Sequence, residues 1–348
     1  MTQKLTSLGG GRPTVVVNAT ESEPASHKDR VLLTRFPHLI LDGAVVVADA
    51  IRARSLRIAV HDEPSAAALA VAIKERPDRT RFIVEVVTGR FVAGEARALI
   101  RALNGGPAIP PGRRTLPSQH GVAGTATFLS NVETFADIAV LATLGPGGYS
   151  SVGTRDEPGT ILVTVGGAVD RPGVLEIPIG TPLDAVLSAA AARPLAGLVV
   201  GGYHGAWIAP RADLRLSRNG LAAAGGTFGA GVVLVVDDTT CALGELTRVA
   251  QWLANESARQ CGPCMFGLPA LVTDLVSLGR GEAHSEHALR RHAGLVAGRG
   301  ACAHPDAAAR FITGGITALH AEVDTHLRHG SCRRPILGQL SINGRSWQ

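Results

Sequence analysis

The chain has 348 residues, of which 45% are hydrophobic and 18% are charged. This composition suits two or three globular domains and excludes a largely disordered protein. The net charge of +5 arises from 34 basic and 29 acidic residues scattered along the chain, and aromatic residues make up only 4%. Nucleic-acid binding is therefore not expected, because it favours a basic stripe with interleaved stacking rings.

Neither a membrane span nor a secretory signal is visible in the sequence. No apolar run reaches the roughly 18 residues that a transmembrane helix needs. The opening residues lack the apolar centre of a signal peptide. We therefore expect a cytoplasmic protein without a direct membrane span.

Strand and helix patterns alternate over the first 150 residues. An apolar run at residues 14–17 leads into the polar turn NATESEP, and further strands are predicted at 57–62 and 82–89. Helical patterns separate these strands, which predicts a parallel sheet covered by helices in an α/β domain. Residues 104–121 are rich in Gly and Pro and predict a long loop. A helix is predicted near residues 131–144.

The character of the sequence changes after a predicted linker at residues 145–160. Two strands joined by the turn DRPG, and a helix that opens at Thr181-Pro182, predict the start of a small separate domain. That domain continues to the strand GVVLVVDD at residues 231–238. From about Thr239 apolar residues recur at three- and four-residue spacing, so the C-terminal part is predicted to be helical.

Several segments occur in the order found in one known family. They are NATESEPASHKDR (18–30), FPHLILDG (36–43), VAGEARALI (92–100), GVAGTATFLSNVET (121–134), the segment 160–190, DDTTC (237–241), ESARQCGPC (256–264) and ACAHPDA (301–307). Together they resemble the flavin-carrying, NADH-oxidising subunit of respiratory complex I (the F or 51 kDa type) and its soluble hydrogenase and formate dehydrogenase relatives. The resemblance spans nearly the whole chain.

This resemblance implies an α/β plus α fold in three domains. They are a Rossmann-like flavin domain at residues 1–150, a ubiquitin-like β-grasp domain of the SLBB type at 158–236, and a helical iron–sulfur-binding domain at 239–348. The implied function is electron transfer from NADH through FMN to a [4Fe–4S] cluster. A ferredoxin-like or membrane reductase subunit is the implied partner.

Flavin mononucleotide requires hydrogen-bonding groups along its ribityl chain and amide groups around its phosphate. By the resemblance, the cofactor-binding residues are Asn18, Thr20, Glu21, Gly94, Glu95, Ser130, Asn131 and Thr134, and the catalytic residues are Glu23 and Glu95. Taken singly, NATESEP also fits a polar turn and SNVET also fits a helix N-cap. Their joint occurrence favours a flavin pocket.

The sequence departs from the family's pattern at positions that the family uses to bind the flavin phosphate and NADH. The glycine-rich loop ahead of the first strand is represented only by SLGGGRPT, and Ala96 and Leu116 replace a glutamate and an adenine-stacking phenylalanine. The loss of charge and stacking surface predicts weak NADH binding. Either the natural start lies upstream or a partner supplies the missing wall. The alternative function is a non-catalytic scaffold that has lost NADH and FMN binding and docks a redox partner.

The cysteines of the C-terminal part predict metal chemistry. The family holds its cluster with four thiolates, and this chain offers Cys261, Cys264 and Cys302, with Cys332 or His304 as the fourth ligand. CGPC also occurs in thioredoxin-like redox sites, and the first three cysteines with His304 would suit zinc. Buried free thiols are a further alternative. A [4Fe–4S] cluster is the favoured interpretation.

Overall fold

The computed structural model describes residues 2–8, 11–78, 80–112, 116–209 and 213–342. The chain divides into two compact units: the first comprises residues 1–22 and 27–151, and the second comprises residues 23–26 and 152–348. The predicted β-grasp and helical segments both fall within the second unit. The boundaries of the three expected domains therefore stay a prediction.

A four-stranded parallel sheet forms the centre of the first unit. Its strands are β1 (Thr14–Ala19), β2 (Ser55–Val60), β3 (Phe82–Val86) and β4 (Thr127–Asn131). The strand order is β3-β2-β1-β4, and every neighbouring pair is parallel. The chain moves outward from β1 to β3 and returns to the opposite side of β1 for β4. Open α/β sheets bind ligands at such a reversal, beyond the carboxyl ends of the strands.

Helices accompany this sheet along the chain. They are α1 (Thr2–Thr6), α2 (Lys28–Arg35), α3 (Pro37–Ala50), α4 (Glu63–Glu75), α5 (Ala96–Leu103) and α6 (Val132–Tyr149). Val15, Val16 and Val17 are fully buried, as expected for a strand covered on both faces. The sequence did not predict α2, because five of its eight residues, KDRVLLTR, are polar. Helix α6 runs into the predicted linker, with a non-helical residue at Gly145 (φ 68°).

The first part of the second unit is a mixed sheet with a helix packed on it. The strands are β5 (Thr160–Gly167), β6 (Gly173–Pro178), β7 (Thr181–Pro182), β8 (Leu195–Val200), β9 (Ala206–Trp207), β10 (Arg215–Leu216) and β11 (Val232–Asp237). The main sheet has the order β6-β5-β11-β8-β9, and only β5 and β11 are parallel neighbours. Helix α7 (Leu183–Ala189) packs its apolar residues on this sheet. The predicted strand–turn–strand–helix start is confirmed.

Helices make up most of the remaining second unit. They are α8 (Arg218–Ala223), α9 (Ala242–Asn255), α10 (Leu268–Gly279), α11 (Ser285–Val296), α12 (His304–Ala318) and α13 (His320–His329). Leu246, Leu253, Leu275 and Phe311 form part of their buried core. Residues 331–342 follow α13 without forming a helix or strand.

Within the part of the chain that the structure describes, no single helix has both the length and the apolar character needed to cross a membrane. Helices α2 and α3 reach those limits only when taken together, and they are bent by 94° relative to each other.

Candidate flavin and iron–sulfur sites

The carboxyl ends of β1 and β4 bring several of the predicted flavin residues together. Asn18 of β1 lies in register with Asn131 of β4. The Asn18 Nδ2 atom donates to the carbonyl oxygen of Gly94 at 3.1 Å, and Thr20 Oγ1 donates to Asn18 Oδ1 at 2.6 Å. These four residues therefore lie at the sheet edge where an α/β fold binds its ligand.

Gly94 lies in close contact with the turn that follows β1. It ends a 3₁₀ turn, Phe91–Gly94. A Cβ atom at this position would lie 2.3 Å from Ser22 Oγ and 3.3 Å from the carbonyl oxygen of Thr20. The first distance is shorter than any normal contact, so a side chain at this position would require Ser22 to shift.

A buried charged network fixes the start of α6 beside β1. Asn131 caps the helix by accepting from the amide of Glu133 at 3.0 Å, and its Nδ2 atom donates to Asp29 Oδ2 at 2.6 Å. Lys28 Nζ lies 2.6 Å from Asp29 Oδ1 and 3.0 Å from both Glu133 Oε2 and Asn131 Oδ1. Burial lowers the pKa of Lys28, but the carboxylates of Asp29 and Glu133 outweigh it and raise this pKa above its ordinary value.

Lys4 places a second ammonium group at this edge. Its Nζ atom donates to the carbonyl oxygen of Leu129 at 2.9 Å and to Ser130 Oγ at 3.3 Å. Burial lowers the pKa of Lys4. Ser130 is buried and Thr134, in the first turn of α6, is partly buried. Lys4 could not be predicted from the sequence, because its approach to β4 depends on how the short helix α1 folds back.

Glu21 and Glu95 organise helix starts. The Glu21 carboxylate accepts from the amides of Asp29 and Arg30 at 3.0 and 3.1 Å, in the first turn of α2. Glu95 caps α5 and forms an ion pair with Arg97 at 2.8 Å. Both carboxylates are therefore held in place and oriented by local donors.

Glu23 has different surroundings and belongs to the second unit. Its side chain is buried, and Oε2 accepts from the backbone amide of Tyr203 at 2.8 Å. Burial and then the negative charge of Glu23 raise the pKa of Tyr203 well above its ordinary value. The catalytic roles of Glu23 and Glu95 stay predictions.

Three of the five cysteines, from two separate segments, lie near enough to influence one another's ionisation. The Cys264 thiol lies within hydrogen-bonding reach of Cys261, and its ionisation is also influenced by Cys302. Burial, followed by the Cys261 and Cys302 thiols, raises the pKa of Cys264 to about 12. Deprotonating such a group of thiols is costly without a cation, whereas bound iron makes thiolates favourable. The three residues therefore fit an iron–sulfur cluster.

The local backbone argues against a thioredoxin-like site. Cys264 lies in a π-helical turn, Pro263–Gly267, that joins directly to α10. Helix α9 precedes the motif, so the dithiol lacks the strand of a βαβ unit that this interpretation requires. Met265 and Phe266 in the same turn are 52% and 71% exposed.

His304 is not placed to bind a metal. Its Nδ1 atom is hydrogen-bonded to His204 Nε2 at 3.0 Å, and its Nε2 atom donates to the carbonyl oxygen of Leu253 at 2.9 Å. Both ring nitrogens are thus engaged, which removes the zinc set of Cys261, Cys264, Cys302 and His304.

Cys332 lies among different neighbours from those expected for a cluster ligand. Together with Cys241, Glu322 and His326 it forms a group in which one ligand atom from each residue lies within 4.8 Å of the others. No metal-binding role was predicted from the sequence for Cys241, Glu322 or His326. Their meeting depends on the packing of α9 against α13.

Comparisons with known proteins cover both units. The family profile described as "Nuo51 FMN-binding domain" matches residues 1–140, "SLBB domain" matches residues 162–197, and "NADH-ubiquinone oxidoreductase-F iron-sulfur binding region" matches residues 238–326. The F subunit of NADH-quinone oxidoreductase from Streptomyces coelicolor is 30% identical over 93% of this chain and 77% of its own length. The chain belongs to the family of NADH-quinone oxidoreductase F subunits.

Further proteins that are similar to this chain support its assignment to the family. The F 2 subunit of NADH-quinone oxidoreductase from Rhizobium meliloti is 29% identical over 90% of this chain and 80% of its own length. A chain of an NAD+-reducing [NiFe]-hydrogenase in the H2-reduced state has the same fold, with a TM-score of 0.85 and 24% identity. The match covers 93% of this chain and 58% of the hydrogenase chain.

These findings confirm the predicted family and the predicted α/β plus α fold. They also confirm the predicted function, that of an electron-transfer flavoprotein subunit. The chain has an FMN-binding domain and an iron–sulfur binding region. No finding favours the non-catalytic scaffold. The roles of individual site residues stay predictions.

Proposed function

We propose that Cys261, Cys264 and Cys302 hold a [4Fe–4S] cluster that takes electrons from FMN bound beyond the carboxyl ends of β1 and β4. The observation that carries this proposal is the convergence of the three thiols from the α9–α10 junction and the segment before α12. When bound, FMN supplies hydride acceptance and one-electron release, and the cluster supplies one-electron transfer.

The flavin is assigned to the sheet edge formed by Asn18, Gly94 and Asn131. An anionic phosphate there is stabilised by the amino terminus of α6 and by the Lys4 ammonium group. Lys28 is already neutralised by two carboxylates, so its role is to hold the α6 start in place. Thr20, Ser130 and the partly buried Thr134 complete the polar lining.

NADH is the proposed hydride donor, and its binding is expected to be weak. Ala96 and Leu116 provide neither the charge nor the ring that the family uses for the nucleotide. Glu95 is ion-paired with Arg97, so it is assigned to orienting the pocket. Glu23 is assigned to anchoring residues 23–26 through the amide of Tyr203.

A second redox subunit, ferredoxin-like or part of a membrane reductase, is the proposed electron acceptor. Relatives of this chain are named as subunits, which supports onward transfer to another polypeptide. Met265 and Phe266 are exposed in the turn that carries Cys264. They give such a partner an apolar surface beside the cluster ligands.

The test is purification of the full chain under anaerobic conditions, followed by iron, sulfide and flavin analysis. The wild-type protein should contain iron and sulfide in equal amounts and give the electron paramagnetic resonance signal of a reduced [4Fe–4S] cluster. Cys264→Ser should lose iron and keep the capacity to bind FMN. Cys332→Ser is the matched control and should retain iron. A chain that stays free of iron after anaerobic reconstitution with iron and sulfide would refute the proposal.

A further inference from the structure

A second group of metal-type ligands lies outside the residues assigned to the cluster. Cys241 precedes α9, Glu322 and His326 are one turn apart on α13, and Cys332 lies in the segment after α13. One ligand atom from each lies within 4.8 Å of the others. The first three residues are buried and Cys332 is half-buried.

The three separations among the Cys241, Glu322 and His326 atoms are close to the edges of a tetrahedron around one metal ion. Cys241 Sγ lies 3.3 Å from Glu322 Oε1 and 3.4 Å from His326 Nε2, and the last two atoms are 3.9 Å apart. Zinc bonds of about 2.0–2.3 Å at tetrahedral angles give ligand separations of roughly 3.3–3.8 Å. No large rearrangement is needed for an ion to enter.

Hydrogen bonds from neighbouring groups orient three of the four candidate ligands, as is usual for residues that bind metals in proteins. His326 Nδ1 donates to the carbonyl oxygen of Gly279 at 2.6 Å; because a carbonyl only accepts, the Nε2 atom presents its lone pair to the group. The amide of Gly244 donates to Cys241 Sγ at 3.2 Å, and the amide of Leu243 donates to Glu322 Oε1 at 2.9 Å.

The charges balance for a divalent ion. Two thiolates and one carboxylate carry three negative charges, and Arg334, which is hydrogen-bonded to Glu322 Oε2, supplies one positive charge. A divalent cation makes the site neutral. Thiolate and imidazole ligands in tetrahedral geometry select zinc over magnesium or calcium, which prefer oxygen and higher coordination numbers.

A cavity lies beside one of the four ligands. A cavity of about 290 Å³ is lined by Glu322 and Arg334 together with Ala196, Ala318 and Thr325. Of the four proposed ligands, Glu322 lines this cavity, so the carboxylate is the ligand that an entering ion would meet first.

We propose that Cys241, Cys332, His326 and Glu322 bind one zinc ion in a closed structural site. Four protein ligands leave no position open for a substrate, which is the pattern of structural rather than catalytic zinc. The site joins the segment 331–342 to α9 and α13. That segment is otherwise held by bonds such as the amide of Cys241 donating to the carbonyl oxygen of Pro335 at 2.7 Å.

The first experiment measures zinc and iron per chain in protein purified from zinc-supplemented medium. The wild type should contain one zinc per chain. Cys332→Ser and His326→Gln should lose most of it, whereas His329→Gln, an exposed histidine on the same helix, should retain it. Cys264→Ser should lose iron and keep zinc. The zinc content therefore tests the zinc site, and the iron content separately tests the proposed cluster.

Two further measurements do not depend on a variant that folds. X-ray absorption at the zinc edge of the wild-type protein should give two sulfur and two nitrogen or oxygen ligands. Replacement of zinc by Co²⁺ should give the intense red-region bands of tetrahedral cobalt with thiolate ligands. A wild-type chain that binds neither ion, or one whose zinc has three or more sulfur ligands, would overturn the proposal.

The structural role has its own readout. Trypsin should cut after the exposed Arg333 faster in Cys332→Ser than in the wild type, because the segment 331–342 is no longer held by the ion. Cys264→Ser should be cut there at the wild-type rate. Equal cleavage rates in the wild type, Cys332→Ser and Cys264→Ser would contradict the proposal that zinc holds the segment 331–342 in place.

Discussion

Asn18 and Asn131 lie opposite each other on adjacent parallel strands, at the point where the order of the sheet reverses. Each amide is used within the protein: Asn18 binds the carbonyl of Gly94, and Asn131 joins the α6 cap to Lys28 and Asp29. The two side chains therefore hold together the backbone around the proposed flavin site.

Asn131→Ala should destabilise the protein more than the loss of a helix cap alone. A lost N-cap costs about 1 kcal/mol, and here Lys28 and Asp29 also lose a buried partner, which adds roughly 1–3 kcal/mol. Asp62→Ala, which removes the cap of α4, is the matched control. Urea unfolding of the two variants measures the difference, and equal losses would show that the buried network adds nothing.

Lys4→Ala should weaken FMN binding about tenfold, because a charge-assisted hydrogen bond to phosphate contributes roughly 1.5 kcal/mol. Fluorescence titration of flavin-free protein with FMN measures the change. Riboflavin, which has no phosphate, should bind both proteins equally. Lys74→Ala alters an exposed lysine in the last turn of α4 and should have no effect; an equal loss there would indicate a nonspecific charge effect.

Gly94→Ala should destabilise the protein by about 1–3 kcal/mol, the usual cost of overpacking. The added Cβ would lie 2.3 Å from Ser22 Oγ, so the second substitution Ser22→Gly should recover part of the loss. Gly147→Ala has open space around its Cβ and serves as the control. Thermal unfolding of these variants measures the change in stability. An unchanged melting temperature in Gly94→Ala would show that Gly94 and Ser22 are not in close contact.

Ser257→Ala should shift the cluster potential to a more negative value without removing iron. Ser257 is buried, its hydroxyl donates to the carbonyl oxygen of Ala254 at 2.9 Å, and it lies within hydrogen-bonding reach of the Cys264 thiol. Hydrogen bonds to cluster sulfur atoms raise the reduction potential. A redox titration followed by electron paramagnetic resonance measures the shift. Ser277→Ala, on α10, provides a control. An unaltered potential would mean that this hydroxyl does not face the cluster.

The stability of the chain should fall below neutral pH because of the His204–His304 pair. Burial, with repulsion from His304 and Arg310, lowers the pKa of His204 to about 3. Below about pH 6.5 the unfolded chain binds a proton that the folded chain refuses, so stability falls by up to about 1.4 kcal/mol per pH unit until the pH approaches 3.

His204→Leu should therefore show a shallower loss of melting temperature between pH 7 and pH 5. His287→Leu, which changes a histidine on the outer part of α11, should keep the wild-type slope. Identical slopes in all three proteins would exclude His204 as the source of the acid sensitivity.

The elements that the sequence predicted best are those with a strong local pattern. The apolar run of β1 and the periodicity of α9 are local properties, and both elements are observed at the expected positions. Helix α2 was missed because its stability derives from Glu21 capping its amides and from buried Lys28 and Asp29. Such contacts depend on residues that are distant in sequence or that look solvated.

The candidate sites show the same division. CGPC suggested a metal or redox site because two cysteines stand close in sequence, and Cys302 followed from the resemblance. Glu322 and His326 gave no recognisable signal, since a glutamate and a histidine four residues apart are common on exposed helices. Only the packing of α13 beside Cys241 turns them inward.

The exposed turn formed by Met265 and Phe266 makes the electrochemistry of this chain depend on what covers it. Iron–sulfur potentials respond to the water and dielectric around the sulfur atoms, and Cys264 belongs to that same turn. Docking of another protein there would dehydrate the cluster's surroundings and change the driving force for electron release. The isolated chain and the assembled one should consequently have different midpoint potentials.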